Sequence, residues 1–260
     1  MSKNTNIWNV NWASQGKMEP AKLLNSRVAL ETYHAIAEFI NDSDKLILET
    51  GCGSGRLCCL LARDFPQSRI AGMDLSKNSV NLANSLKQNA GVSNVTFGEG
   101  DLFELAYPDN YFDVVFNDGV IEHFALEQSP NYVDAVKEMM RVTKSGGKII
   151  VSVPNWYCFP HTLYKWVLKR LGRPYKYGYE KSFKHKELIK LFSEIGLAKI
   201  EVSGFYPAHR WYYFAGKGGL ARIFLIPGKL TDLVEFLDFS NGKIFAKKFG
   251  AAIVAKGVKP

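Results

Sequence analysis

The chain is 260 residues long, 47% of them apolar, and carries a formal charge of +8. Such a chain can bury a full core, and it has no run of about 18 apolar residues, which argues against a membrane-spanning helix. The charge is uneven: residues 1–154 hold 14 Lys and Arg against 18 Asp and Glu, whereas residues 155–260 hold 19 against 7. A basic half points either to anionic partners, with lipid surfaces, phosphorylated substrates and RNA all open, or simply to a solvated lysine-rich surface.

Residues 1–20 read as a polar arm carrying Trp8 and Trp12, which either covers a ligand pocket or packs on the core. The arm lacks the apolar stretch of a signal peptide, so a cytoplasmic protein is expected. The four cysteines, Cys52, Cys58, Cys59 and Cys158, form no Cys-x-x-Cys pair, so neither disulfides nor a zinc site are expected. Ala21–Ile40 has apolar residues at helical spacing (Leu24, Val28, Ile36, Phe39, Ile40), and with the arm and a turn makes up residues 1–44.

A first strand is predicted at Lys45–Thr50, followed by Gly51, Gly53 and Gly55 and a helix to Asp64. Ser68–Asp74 reads as a second strand that ends in an acid, and Ser76 as the N-cap of a helix from Lys77 to Asn89. Asn94–Phe97 and Tyr111–Asn117 follow as strands, Pro130–Val142 as a helix, Ser145-Gly146-Gly147 as a turn and Lys148–Val153 as a fifth strand. The alternation favours a doubly wound parallel sheet with helices on both faces, its core spanning residues 45–153.

The pattern then loosens. Residues 154–183 form an aromatic, basic insertion with a predicted helix at Leu163–Leu171. A helix at Lys184–Ile195 and a strand at Ala198–Ser203 follow. Residues 204–248 form a second aromatic insertion holding His209 and Arg210, and residues 249–256 a last strand. The whole reads as one domain with two cap insertions.

Glycines between a strand and a helix permit positive φ and close approach of a ligand, and the helix N-terminus favours its carboxylate or phosphate. A dinucleotide site wants G-x-G-x-x-G, but here the third glycine arrives one residue early and position 56 is arginine. Six pieces stand in order: Leu-Glu-Thr-Gly-Cys-Gly-Ser-Gly (48–55), Gly-Met-Asp-Leu-Ser (72–76), Gly-Asp-Leu (100–102), Phe-Asp-Val-Val-Phe (112–116), Ile-Glu-His-Phe (121–124) and Ser-Gly-Gly-Lys-Ile-Ile-Val-Ser (145–152). Together they resemble the class I S-adenosylmethionine-dependent methyltransferases, most of all the small-molecule branch with the quinone and sterol enzymes. The resemblance implies a Rossmann-like seven-stranded sheet whose last strand is antiparallel.

The same resemblance assigns the cofactor. Asp74 would accept from the ribose hydroxyls and Leu75 lie against the adenine. Asp101 would accept from the adenine amino group, with the Leu102 N–H donating to the ring. Glu49 would hold the turn N–H groups or the cofactor's ammonium, beside Gly51 and Gly53, and the Asn117 carbonyl would meet that ammonium. Physical chemistry supports these roles, because carboxylates at strand ends are acceptors and a lone buried acid such as Glu49 needs partners.

A sulfonium carries its own reactivity, so the protein need only align the acceptor and exclude water. No metal is required. His123 is the first candidate for a general base, with a structural role for the ring as the alternative; Glu122 is weaker, and His161 and His209 lie in the insertions. The insertions are expected to choose a small-molecule or lipid-like acceptor. Trp166–Leu171 mixes basic and apolar residues like a segment at an anionic membrane surface, with a cap helix as the alternative. An RNA methyltransferase, a non-catalytic cofactor-binding scaffold and a nicotinamide dehydrogenase are the competing readings; no separate RNA-binding module is seen.

Overall fold

A computed structural model of the chain describes residues 20–175, 177–205 and 244–260. The arm with Trp8 and Trp12, and most of the second insertion with His209 and Arg210, lie outside the described residues.

Seven strands form one sheet in the order β3-β2-β1-β4-β5-β7-β6. They are β1 (Leu46–Thr50), β2 (Arg69–Asp74), β3 (Val95–Glu99), β4 (Phe112–Asp118), β5 (Thr143–Pro154), β6 (Ala198–Phe205) and β7 (Ala252–Val258). The first five pair in parallel, and β7 runs antiparallel to both β5 and β6, as expected for a Rossmann-like methyltransferase sheet.

Strand parity assigns the two faces. Ile47, Val114 and Phe116 face one core with Tyr33 and Ile36 of α2 (Arg27–Ala37) and Leu57, Cys58 and Leu61 of α3 (Arg56–Asp64). Leu48, Val115 and Ile149 face the other, with Val136 and Met139 of α5 (Tyr132–Val142) and Leu188 and Phe192 of α7 (His185–Glu194). Both faces of the central strands are therefore apolar, which is why they read as continuous hydrophobic runs.

Several predicted elements differ in their bounds. The single helix expected at Ala21–Ile40 is two, α1 (Pro20–Asn25) and α2, because Ser26 adopts an extended backbone and its hydroxyl accepts from Ala29 N–H at 3.2 Å, capping α2. The Ser145-Gly146-Gly147 turn is absorbed into β5: pairing jumps from Phe112–Thr143 to Val114–Lys148, and Gly146 takes the excursion at φ +79°. The last strand starts later, since a short helix, α8 (Ile244–Phe249), occupies its predicted beginning.

In the first insertion, α6 (Phe159–Arg170) starts a turn before the predicted helix. It lies at the carboxyl end of β5, the same end of the sheet that carries the glycine turn. Lys77–Ala90 forms α4, capped by Ser76 as expected.

Candidate active site

The cavity opens beyond the carboxyl ends of β1, β2 and β4, where strand order reverses between β1 and β4, the usual ligand position in open α/β sheets. It encloses about 160 Å³. Glycines shape its floor. Gly51 sits at φ +72°, and a Cβ there would come within 2.5 Å of a Val120 methyl. Gly55 also has φ +72°, and its Cβ would meet the Phe97 ring at 2.6 Å where the turn enters α3. Neither position tolerates a side chain.

Asp74 ties the turn to β2. Its Oδ2 accepts from Gly53 N–H and its Oδ1 from Ser76 N–H, both at 2.9 Å. Burial raises its pKa, and these two amide donors oppose the rise. Leu75 beside it is 56% exposed, an apolar side chain left at the rim. Asp101 is exposed and accepts from Phe103 N–H at 2.9 Å, while Leu102 is buried against the cavity wall.

Glu49 has the parity of Ile47 and so faces α3, where the Cys58 thiol donates to its Oε2 at 2.9 Å. Burial pushes its pKa up to about 8, with the Cys58 bond pulling the other way. The buried acid thus has the partner its position demands.

The Asn117 side chain faces away from the cavity: it shares the face of Val115, is fully buried, and donates from Nδ2 to Met139 Sδ at 3.2 Å on α5, so only its main-chain carbonyl is left for the role assigned to it. β4 runs one residue beyond its predicted end and brings Asp118 to the cavity, on the face of Val114 and Phe116. Asp118 accepts from Ser152 Oγ at 2.7 Å and pairs with Arg56 at 3.1 Å. Arg56, Cys52, Ser54, Leu57, Gly100, Gly119, Val120 and Phe124 complete a lining that motif reading did not supply in full. Asp118 was legible from strand alternation counted one residue further.

His123 closes a short 3-10 turn (Ile121–His123) and reaches the cavity although it is only 6% exposed. Its Nδ1 lies 2.7 Å from the Tyr179 carbonyl oxygen. A carbonyl only accepts, so Nδ1 carries the proton and Nε2 is the acceptor nitrogen of the neutral ring. Burial lowers the His123 pKa, the Tyr179 bond opposing, which favours that neutral form. Glu122 is buried behind it, Oε1 at 3.9 Å from His123 Nε2, and its Oε2 finds no hydrogen-bond partner among the described residues. Burial, reinforced by Glu180, holds the Glu122 pKa well above the ordinary carboxylate value. His161 does not reach the cavity; it is buried in the cap, 3.5 Å from Glu180 Oε1 and 3.4 Å from the Tyr175 hydroxyl.

Among the described residues, four carboxyl groups, Glu49, Asp74, Asp101 and Asp118, surround this cavity against one cation, Arg56, itself paired with Asp118. Such a surround repels a pyrophosphate and suits a ligand with positive charge and hydroxyl or amino donors. No cluster of three or more metal-ligating side chains occurs among the described residues.

Residues 41–192 match the methyltransferase-domain family, and the chain belongs to that family. Among curated relatives, it is 26% identical over 141 residues to a demethylmenaquinone methyltransferase of Listeria welshimeri, covering 52% of this chain and 58% of that protein. It is 29% identical over 175 residues to one of Oceanobacillus iheyensis, covering 61% and 71%. The chain thus spans a little over half the length of the Listeria relative. Solved structures share the fold: a Thermotoga maritima protein described as a SAM-dependent methyltransferase, possible histamine N-methyltransferase, superposes with a TM-score of 0.63 at 18% identity over 99% of this chain and 100% of that one. Haemonchus contortus phosphoethanolamine N-methyltransferase 2, solved with S-adenosyl-L-methionine, gives 0.57 at 19% over 99% and 57%.

Proposed function

We propose that this chain transfers a methyl group from S-adenosylmethionine to a small or lipid-like acceptor. The observation that carries the reading is the ring of four carboxyl groups around a glycine-floored cavity, which suits a cofactor bearing a sulfonium and an ammonium. Bound there, that cofactor supplies an electrophilic methyl group. Asp74 would hold the ribose hydroxyls, Leu75 cover the adenine, and Asp101 with the Leu102 N–H read its edge. Glu49 and Asp118, with the Asn117 main-chain carbonyl, would face the ammonium, and the Gly51–Gly53 turn would admit the carboxylate end.

His123 then acts on the acceptor. The Tyr179 carbonyl fixes its tautomer, so Nε2 is the basic nitrogen, and burial keeps the ring neutral near pH 7. A hydroxyl acceptor would lose its proton to Nε2 as its oxygen takes up the methyl group, whereas an ammonium acceptor would give its proton to Nε2 first, since only the free amine has a lone pair to offer. Phe124, held edge-to-face by Phe103 at 4.7 Å, gives the same wall an apolar surface that excludes water.

The names of the relatives support a quinone-like acceptor, and the basic second half supports an acceptor presented at an anionic membrane surface. A cell extract incubated with the protein and methyl-labelled cofactor should yield a labelled small molecule or lipid. Label found only in RNA, or no label and no S-adenosylhomocysteine, would overturn the reading. His123→Ala should cut turnover roughly 100-fold while cofactor affinity stays the same; undiminished turnover would remove the base from the scheme.

A further inference from the structure

The outer side of α6 is not used by the cavity. Along this helix His161 and Leu168 turn inward, and Phe159, Trp166, Lys169 and Arg170 turn outward. The outward side is unusually apolar for an exposed helix: Phe159 is 70% exposed, Trp166 54% and Leu171 just beyond 55%. Trp156, at the end of the preceding strand, is 44% exposed. Cations lie on these rings, Arg170 over Trp166 at 5.1 Å and Lys184 over Trp156 at 4.4 Å. Lys169, Arg173 and Lys186 are exposed as well.

The charge balance of this stretch is one-sided. Residues 155–186 contain eight Lys and Arg and a single acid, Glu180. That acid is turned inward, its side chain 7% exposed and bonded to Lys165 at 3.2 Å. Between Asn155 and Lys186 the outer surface therefore presents cations and apolar side chains without an exposed carboxylate. Solvation alone accounts for the lysines, but it gives no reason to hold Phe159, Trp166 and Leu171 in water among them.

We propose that this outer side of α6, with Trp156 and Leu171 at its ends, seats the protein on an anionic lipid bilayer. The proposal names the partner of the cap and rests on the methyl-transfer reading only for the lipid-like nature of the acceptor. Aromatic and leucine side chains enter the boundary between headgroups and acyl chains, and the surrounding lysines and arginines meet lipid phosphates. A nucleic-acid phosphate backbone would use the cations equally but leaves Phe159 and Leu171 without a role. The docking side lies at the carboxyl end of β5, on the end of the sheet where the cavity opens. A seated protein thus holds its acceptor site near the bilayer.

Cosedimentation tests this on the full chain without cofactor, so its outcome is independent of whether methyl transfer occurs. Vesicles of phosphatidylcholine containing phosphatidylglycerol should retain the protein, phosphatidylcholine alone should retain it poorly, and added salt should release it. Arg170→Gln and Arg173→Gln should each weaken retention roughly fivefold. Phe159→Ala with Trp166→Ala should weaken it roughly tenfold or more. Acyl chains carrying bromine should quench tryptophan fluorescence of the unaltered protein, a reading that needs no variant to fold. Three results overturn the proposal: no retention at low salt, retention by polyuridylate but not by vesicles, or vesicle binding indifferent to the aromatic changes and unquenched by bromine. A concentration-dependent dimer abolished by Trp166→Ala, with no vesicle binding, would assign the surface to a second copy instead.

Discussion

The cavity and the cap are built on different principles. Around the cavity, backbone geometry does most of the fixing: positive-φ glycines and strand parity place the acids, main-chain amides hold Asp74 on β2, and Glu49 on β1 adds a bond from the Cys58 thiol. In the cap, side chains do it. Lys165 reaches the Glu180 carbonyl at 2.6 Å, its carboxylate at 3.2 Å and Ser182 Oγ at 3.3 Å, with His161 and Tyr175 packed against the same acid. The two regions meet at a narrow seam, where Tyr179 O holds His123 and Lys181 N–H donates to the Glu122 carbonyl at 2.9 Å. On the proposed function, such a design would keep the cofactor half constant and let the cap set the acceptor and adjust the base.

The strongest break of that contrast is in the glycine floor. Gly51→Ala puts a methyl group 2.5 Å from Val120 at φ +72° and should cost about 1–3 kcal/mol of stability. Cofactor affinity should fall with it, as measured by denaturant melts and titration calorimetry; full affinity would show that the turn does not hold the ligand. Glu180→Gln, in the cap, should leave cofactor affinity unchanged and reduce turnover about tenfold by loosening the strap on His123. It also removes a negative charge that favours the imidazolium, so the His123 pKa drops further and the acid limb of the rate profile moves to lower pH. An unmoved limb, or loss of cofactor binding alongside turnover, would detach the cap from the base.

The same contrast explains what could be read in the sequence. Strand runs buried on both faces, glycines at fixed steps and capping serines are local signals, so the alternating strands and helices of the core and Glu49, Gly51, Gly53, Asp74, Leu75, Asp101 and Leu102 at the cavity were legible. Asp118 was missed by a single step of alternation, because β4 continues one residue past the point where its apolar run stops. Arg56 has no local signature, since its place is set by Asp118, 62 residues away. The buried knot of Lys165, Glu180, His161 and Tyr175 was equally hidden: in the linear chain these are scattered polar residues of an aromatic stretch, and only the fold removes them from water.

Glu49 offers the finest discrimination, since it should respond to ligand charge without a change of structure. Its pKa of about 8 in the free protein means that it is mostly protonated at pH 7, whereas an unfolded glutamate is ionised there. The folded form thus binds more protons between about pH 4.5 and 8, and stability from this group falls as pH rises across that window. A cation seated in the cavity favours the carboxylate, so cofactor binding at pH 7 should release close to one proton. Calorimetry in buffers of different ionisation enthalpy reads that release directly. Glu49→Gln should abolish it, flatten the stability slope and weaken binding less than tenfold at pH 7, where the native acid is already mostly neutral before the ligand arrives. Proton uptake, or release undiminished in Glu49→Gln, would mean that the ligand's positive charge does not sit against β1.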